Sequence, residues 1–365
     1  MSLQLESSRL VLDLPPGPDA IRNSEGSFLT LEDGRILFVY SRFRAGAGLD
    51  HDPAGLAGLI LSPDGSEMVE NLGWLLRPEA DSAINQMSVS LMRMLDGAIG
   101  VFYFLRRGFE DGRLHLRRSY DGGRSWTPAR PCILAPGYHV SNNDRVVRLR
   151  SGRLVLPAAY HRPLELPQPD GTVRYSFEYV SHALFFCSDD DGETWKQSNG
   201  VHVASRHTRT GFQEPGVVEL ENGSLFGWGR TDLGRQYETQ SNDGGRTWTP
   251  GEPSAFTSPE SPLSMKRDPV DRSLVAVWNP APGYPTRPTA GTDRTPLVLA
   301  RSVDDGASWS EPVMIEDDPA SGYCYTAMHA LPGRAGAWLL AYCAGSVDEG
   351  ILTRLRIRRI ELKAD

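Results

Sequence analysis

Cysteine is scarce in this chain. There are four in 365 residues, Cys132, Cys187, Cys324 and Cys343, and no two are spaced as a CxxC pair. A thiolate metal site is therefore not expected, and nothing in the sequence asks for another cofactor. Long apolar runs are missing as well, so no membrane span is expected. The opening Met1-Ser-Leu-Gln-Leu-Glu-Ser-Ser-Arg-Leu10 has no basic stretch leading into an apolar one, as a secretory signal would. The default is then a cytoplasmic protein with reduced thiols. Positive charge is also in deficit: 38 Lys and Arg stand against 46 Asp and Glu, a formal net charge of −8. Such a chain has no general attraction to nucleic acid or to an acidic membrane. Any anion site must be a local cluster of arginines.

Glycine (37) and proline (27) are abundant, and hydrophobic residues make up 39%. That balance suits many short strands joined by tight turns. An internal repeat organises them. Ser-x-Asp-x-Gly-x-x-Trp occurs as Ser119-Tyr-Asp121-Gly-Gly123-Arg-Ser-Trp126 and as Ser188-Asp-Asp190-Asp-Gly192-Glu-Thr-Trp195. It returns as Ser241-Asn-Asp243-Gly-Gly245-Arg-Thr-Trp248 and as Ser302-Val-Asp304-Asp-Gly306-Ala-Ser-Trp309. A decayed copy begins at Ser62. The Asp suits a turn because its carboxylate can accept turn amides. The Gly supplies a positive φ, and the Trp can pack between sheets. A second repeat lies between the boxes: an apolar hairpin with a turn glycine, as in Phe28-Leu-Thr-Leu-Glu-Asp-Gly34-Arg-Ile-Leu-Phe-Val-Tyr40. Similar hairpins begin at Ser88, Arg145, Gly216, Pro262 and Tyr325. Boxes about 50–70 residues apart and six hairpins fit six four-stranded sheets. Leu352 to Leu362 nearly alternates in polarity and is expected to be a strand that helps close the assembly. No composition break divides residues 1–365, so a single domain is expected.

The repeated boxes on six hairpins resemble the sialidase (neuraminidase) superfamily over nearly the whole chain. The resemblance implies an all-β six-bladed β-propeller acting on carbohydrate. In that family three arginines hold the substrate carboxylate, a Tyr is the nucleophile, a Glu activates the Tyr and an Asp is the acid/base. By resemblance the arginines are Arg22, at the start of the first hairpin, Arg230 in Gly229-Arg-Thr-Asp232 and Arg294 in Asp293-Arg-Thr-Pro-Leu297. Guanidinium groups suit a carboxylate because they bind it bidentately. Tyr325-Thr-Ala-Met-His-Ala-Leu331 resembles the run around the nucleophile, with Tyr323 a competitor two residues away. Glu214, in Gly211-Phe-Gln213-Glu-Pro-Gly216, precedes Arg230 at family-like spacing. A neutral nucleophile makes sense beside a carboxylate that would repel a charged one.

The acid/base is expected in the Gly-rich loop after the first hairpin, at Asp50 or Asp52. Two polar clusters offer sugar-reading groups: Val140-Ser-Asn-Asn143-Asp144-Arg145 and Ile84-Asn-Gln-Met87, with Gln213 a further binding candidate. The sequence departs from the family where an acid usually holds the first arginine, since Ala341-Tyr-Cys343 stands there. Glu25 is a possible replacement. Two other readings stay open. One is a propeller using His51, His139, His161 or His329 as acid/base on uronic-acid glycans. The other is a non-catalytic glycan-binding propeller.

Overall fold

The computed structural model describes residues 3–281 and 293–363. It is all-β: among the described residues the one helical element is a short 3₁₀ turn at Ala80–Ser82. The strands fall into six successive antiparallel units. The first comprises Arg22–Thr30, Ile36–Phe43, Ala54–Leu61 and Met68–Leu76. The second comprises Asn85–Arg93, Ile99–Arg106, Asp111–Ser119 and Arg130–Pro131. In the third, Gly137–Val140 and Val147–Arg148 both pair with the long strand Leu154–Pro167, which continues to Val173–Ser188 and Lys196–Gln197. The fourth is Gln213–Glu219, Leu225–Arg230, Arg235–Ser241 and Glu252–Thr257. The fifth is Ser264–Arg267, Leu274–Trp278, Leu297–Ser302 and Val313–Glu316.

The sixth unit draws on both ends of the chain. Cys324–Ala330, Ala337–Cys343 and Leu355–Lys363 are completed by Gln4–Leu14, which pairs antiparallel with the last of them. The alternating segment near the C-terminus therefore sits inside its sheet, and the N-terminal strand covers its edge. Short parallel pairings, Ala54 with Asn85 and Gly137–Tyr138 with Asp111–Gly112, run the first three units together into one continuous sheet.

Apolar faces pack from each unit to the next. Leu37 and Ile60 meet Val101 and Tyr103, and Phe102 and Leu116 meet Leu156 and Phe186. Val155 meets Val217 and Leu225, Trp228 meets Met265 and Ala276, and Val277 meets Trp338 and Leu340. The sixth unit returns to the first through Leu339 and Ile357 against Phe38 and Leu59. Each such buried side chain contributes about 1.5–3 kcal/mol relative to exposure.

The boxes form the expected turns. Ser119 Oγ donates to Asp121 Oδ1 and accepts from the Gly123 N–H, both at 2.8 Å. Asp121 Oδ1 also accepts from the amides of Arg124 and Ser125. Bonds from the Ser125 hydroxyl and amide, with those of its other partners, hold the Asp121 carboxyl down at about 2. Gly123, at φ 90, makes the turn possible. The decayed copy keeps the geometry, with Ser62 Oγ donating to Asp64 at 2.7 Å. The tryptophans reach into the preceding unit: Trp248 stacks on Phe185 at 3.7 Å, and Trp195 meets Phe102 edge-on.

Candidate active site

In five of the six units the chain enters the first strand through a residue at positive φ: Glu25 (49°), Ser88 (58°), Asp144 (60°), Glu214 (47°) and Tyr325 (57°). In the first, second, fourth and sixth units the ladder skips a step there. A bulge of this kind takes one residue out of the alternation between sheet faces and re-aims its side chain. Each such non-glycine residue costs about 1–3 kcal/mol unless its surroundings hold it. Here neighbouring rings help to do so. A Cβ on Gly26 would come within 2.3 Å of Phe38, and one on Gly216 within 2.4 Å of Trp228, so only glycine lets those rings press on the bulge. Glu25, Ser88, Glu214 and Tyr325 all line one cavity of ≈ 160 Å³.

Arg230 lines it, and Arg22 and Arg294 lie behind the lining residues Glu25, Asp50 and Tyr325. Arg22 is fully buried and lies over the Phe43 ring. It donates to Asp50 Oδ1 at 2.6 Å, to the Gly48 carbonyl at 3.0 Å and to Ser24 Oγ at 3.0 Å, and lies 3.4 Å from Glu25 Oε1. Arg230 clasps Gln213 Oε1 with Nε and Nη2 at 3.1 and 3.0 Å. Its Nη1 lies 3.3 Å from Glu214 and donates to the Tyr325 hydroxyl at 3.4 Å. Arg294 sits 5.4 Å over the Tyr325 ring and donates to Cys324 Sγ and the Glu260 carbonyl, each at 3.1 Å. The Tyr325 hydroxyl itself donates to Glu214 Oε1 at 3.3 Å.

The charges set the protonation states. Burial, then the Glu214 carboxylate, push the Tyr325 phenol well above its ordinary range, against Arg230 and Arg294, so the phenol carries its proton at rest. Burial raises the Glu25 carboxyl to about 8 although Arg22 opposes it. Loss of water would raise Asp50 too, but the Arg22 charge and hydrogen bond, with Arg230 and Arg294 behind, hold it below the usual carboxylate range. Asp50 still shows 57% of its side chain to solvent, so Arg22 decides its state. At neutral pH Asp50 is an anion seated on the first arginine.

Some candidates fall elsewhere. Asp52 does not face the cavity: its carboxylate accepts the amides of Ala47 and Leu49 at 2.8 Å and caps the Gly-rich loop. Asn143, Asp144 and Arg145 are structural ties. Asn143 donates to the Gly26 and Tyr325 carbonyls. Asp144 accepts from Ser27, Lys266 and the Met328 amide. Arg145 donates to the Leu263 carbonyl and Ser264. The cavity instead takes their neighbours Ser141 and Asn142. Tyr323, expected on the face of Tyr325 by period two, is buried against Tyr342, because the bulge at Tyr325 breaks that period. Of the four histidines considered, His161 lines the cavity, held down to about 4 chiefly by burial. Cys343 stands opposite Cys324 in the ladder, and Glu25 lies against Arg22 at 3.4 Å. Among the described residues no three His, Cys, Asp or Glu side chains converge as a metal site requires.

The model of the BNR repeat-like domain matches residues 74–335, most of the chain. The chain belongs to the BNR repeat-like domain family. That places it in the sialidase superfamily. Glu214, Arg230, Arg294 and Tyr325 lie inside the matched BNR segment, whereas Arg22, Glu25 and Asp50 precede it. A curated sialidase from Bacteroides fragilis is 24% identical over 249 residues. The alignment takes in 57% of this chain but only 46% of that protein, so the BNR chain spans less than half of its length. Two solved structures share the fold across 98% of the chain at a TM-score of 0.70. One is a protein of unknown function from Dyadobacter fermentans, 18% identical and covered entirely. The other is a leech intramolecular trans-sialidase complexed with 2,7-anhydro-Neu5Ac, 15% identical and 70% covered.

The aromatic side of the cavity was not anticipated. Tyr138, His161, Phe177 and Tyr179 form an aromatic wall, Tyr138 and Phe177 with centroids 4.9 Å apart. The signal was present in Tyr175-Ser-Phe177-Glu-Tyr179, an aromatic at every second residue.

Proposed function

We propose that the chain is a retaining exo-glycosidase of the sialidase superfamily, acting on a terminal acidic sugar, sialic acid or a relative. We further propose that it is a single domain whose six units are the blades of a six-bladed β-propeller. The cyclic succession of apolar clusters, ending sixth unit against first, supports the propeller. The observation that carries the activity is the Tyr325 hydroxyl bonded to Glu214 with Arg230 beside both. A glycan-binding module has no need of a carboxylate on a buried phenol.

In this reading the sugar carboxylate is held by Arg22, Arg230 and Arg294. Tyr325 Oη attacks the anomeric carbon as Glu214 takes the phenol proton, while Asp50 protonates the departing oxygen. Water, deprotonated by Asp50, then displaces the tyrosyl ether, and Glu214 returns the proton to Tyr325. Asp50 must first become an acid. A substrate carboxylate competes with it for Arg22, and its displacement removes the strongest influence keeping it ionised. Substrate binding thus arms the acid. The histidine reading fits less well, since a His161 ring titrating near 4 carries no proton to donate at neutral pH.

The test is Tyr325→Phe on a sialoside and on a uronide. Turnover of the accepted substrate should fall by about two orders of magnitude or more while binding of an unreactive acidic-sugar analogue changes little. Full activity in that variant overturns the mechanism.

A further inference from the structure

The third unit carries a feature that hydrolysis of a terminal sugar alone does not require. Its two long strands, Leu154–Pro167 and Val173–Ser188, run past the rest of the sheet as a hairpin. Beyond the sheet the register is unbroken from Pro163 opposite Phe177 to Pro167 opposite Val173. Tyr175 therefore lies on the same face as Phe177. Phe177 and Tyr179 line the cavity, and their rings stack at 6.4 Å. Tyr175 and Tyr179 are 44% and 54% exposed. Phe177 is fixed from behind by Tyr138 and Phe109, at 4.9 and 5.1 Å. The result is an aromatic stripe that begins in the cavity at Tyr179 and Phe177 and leads out to Tyr175, about 7 Å further along the strand. Exposed aromatics are normally left single on a protein surface; a rigid, aligned set continuous with a pocket marks a place where a ligand lies.

We infer that this stripe is a platform for the neutral oligosaccharide arm to which the terminal sugar is attached. The arm leaves the cavity along the aromatic wall, toward Tyr175. Its sugars present flat C–H faces to the rings, while the exposed Glu165, opposite Tyr175 in the ladder, offers a partner for hydroxyls. The inference rests on the glycosidase reading, and it makes the chain an enzyme of oligosaccharides rather than of small glycosides.

The test compares two donors of the same acidic sugar: an oligosaccharide, and the glycosyl fluoride, which has no arm. In Tyr175→Ala and in the double variant Glu165→Ala/Tyr175→Ala, both positions outside the cavity lining, kcat/KM on the oligosaccharide should fall by about tenfold or more, with fluoride release unchanged. Equal loss on both donors, or no loss on the oligosaccharide, overturns the platform. If the wild-type protein cleaves neither donor, the glycosidase reading has failed and the platform is judged alone, by titrating the neutral oligosaccharide that lacks the terminal acid. Saturable binding weakened about tenfold in the double variant upholds it, and binding that is absent or unchanged overturns it.

Discussion

Replacing Asp50 by Ala should move binding and turnover in opposite directions. In the resting structure Asp50 is the anion on Arg22, bonded at 2.6 Å to a guanidinium with no exposure of its own. A substrate carboxylate has to displace it. The pair is buried on one side only, for 57% of the Asp50 side chain faces solvent. Screening by that water limits the interaction to about 1 kcal/mol. Removing the internal competitor should therefore tighten binding of an unreactive acidic-sugar analogue about fivefold. Turnover should suffer in proportion to the need for a proton. With an alkoxide leaving group the lost acid should reduce kcat by about 10²–10⁴-fold, while a glycosyl fluoride, whose leaving group needs far less help, should lose much less. Calorimetric titration of the analogue and steady-state rates on both donors suffice to decide. Weaker analogue binding in Asp50→Ala refutes the competition for Arg22, and equal loss on both donors refutes Asp50 as the acid.

Two further outcomes concern stability. The His161 ring is held at about 4 in the fold against an ordinary 6.5, chiefly by burial. A depressed pKa contributes stability that is fully present above 6.5 and is lost as pH falls through about 4. Relative to wild type, the Tm of His161→Phe should hold a constant offset above pH 6.5 and gain between 6.5 and 4; a parallel pair of curves contradicts the assignment. Ser119→Ala removes the hydroxyl that bridges Asp121 and the Gly123 amide, and should cost about 1 kcal/mol, read as a lower Tm with kcat/KM unchanged. A loss of activity without a loss of stability would show that the boxes do more than fix turns.

The sequence was most informative where its signals are local. A Ser-x-Asp-x-Gly-x-x-Trp turn needs only its own eight residues to close, so the boxes at Ser119, Ser188, Ser241 and Ser302, and even the decayed one at Ser62, were legible as turns. The hairpins were legible because their apolar residues and turn glycines lie together. The partner of the C-terminal strand was not, since Gln4–Leu14 finds it from the far end of the chain. In the site, the order of Arg22, Glu214, Arg230, Arg294 and Tyr325 along the chain could be read by resemblance. Which neighbour faces the cavity could not. Asp50 and Asp52 differ by two residues, as do Tyr323 and Tyr325, and strand periodicity alone treats each pair alike. The tertiary structure separates them: the loop amides of Ala47 and Leu49 bind Asp52 and leave Asp50 for Arg22, and the bulge at Tyr325 turns it away from the face of Tyr323. In the third unit Ser141 and Asn142 reach the cavity while Asp144, three and two residues on, is taken up in tying strands together. A bulge is favoured by contacts from other units, such as Asn143 bonded to the Tyr325 carbonyl across the molecule, and such contacts exist only once the sheets have packed.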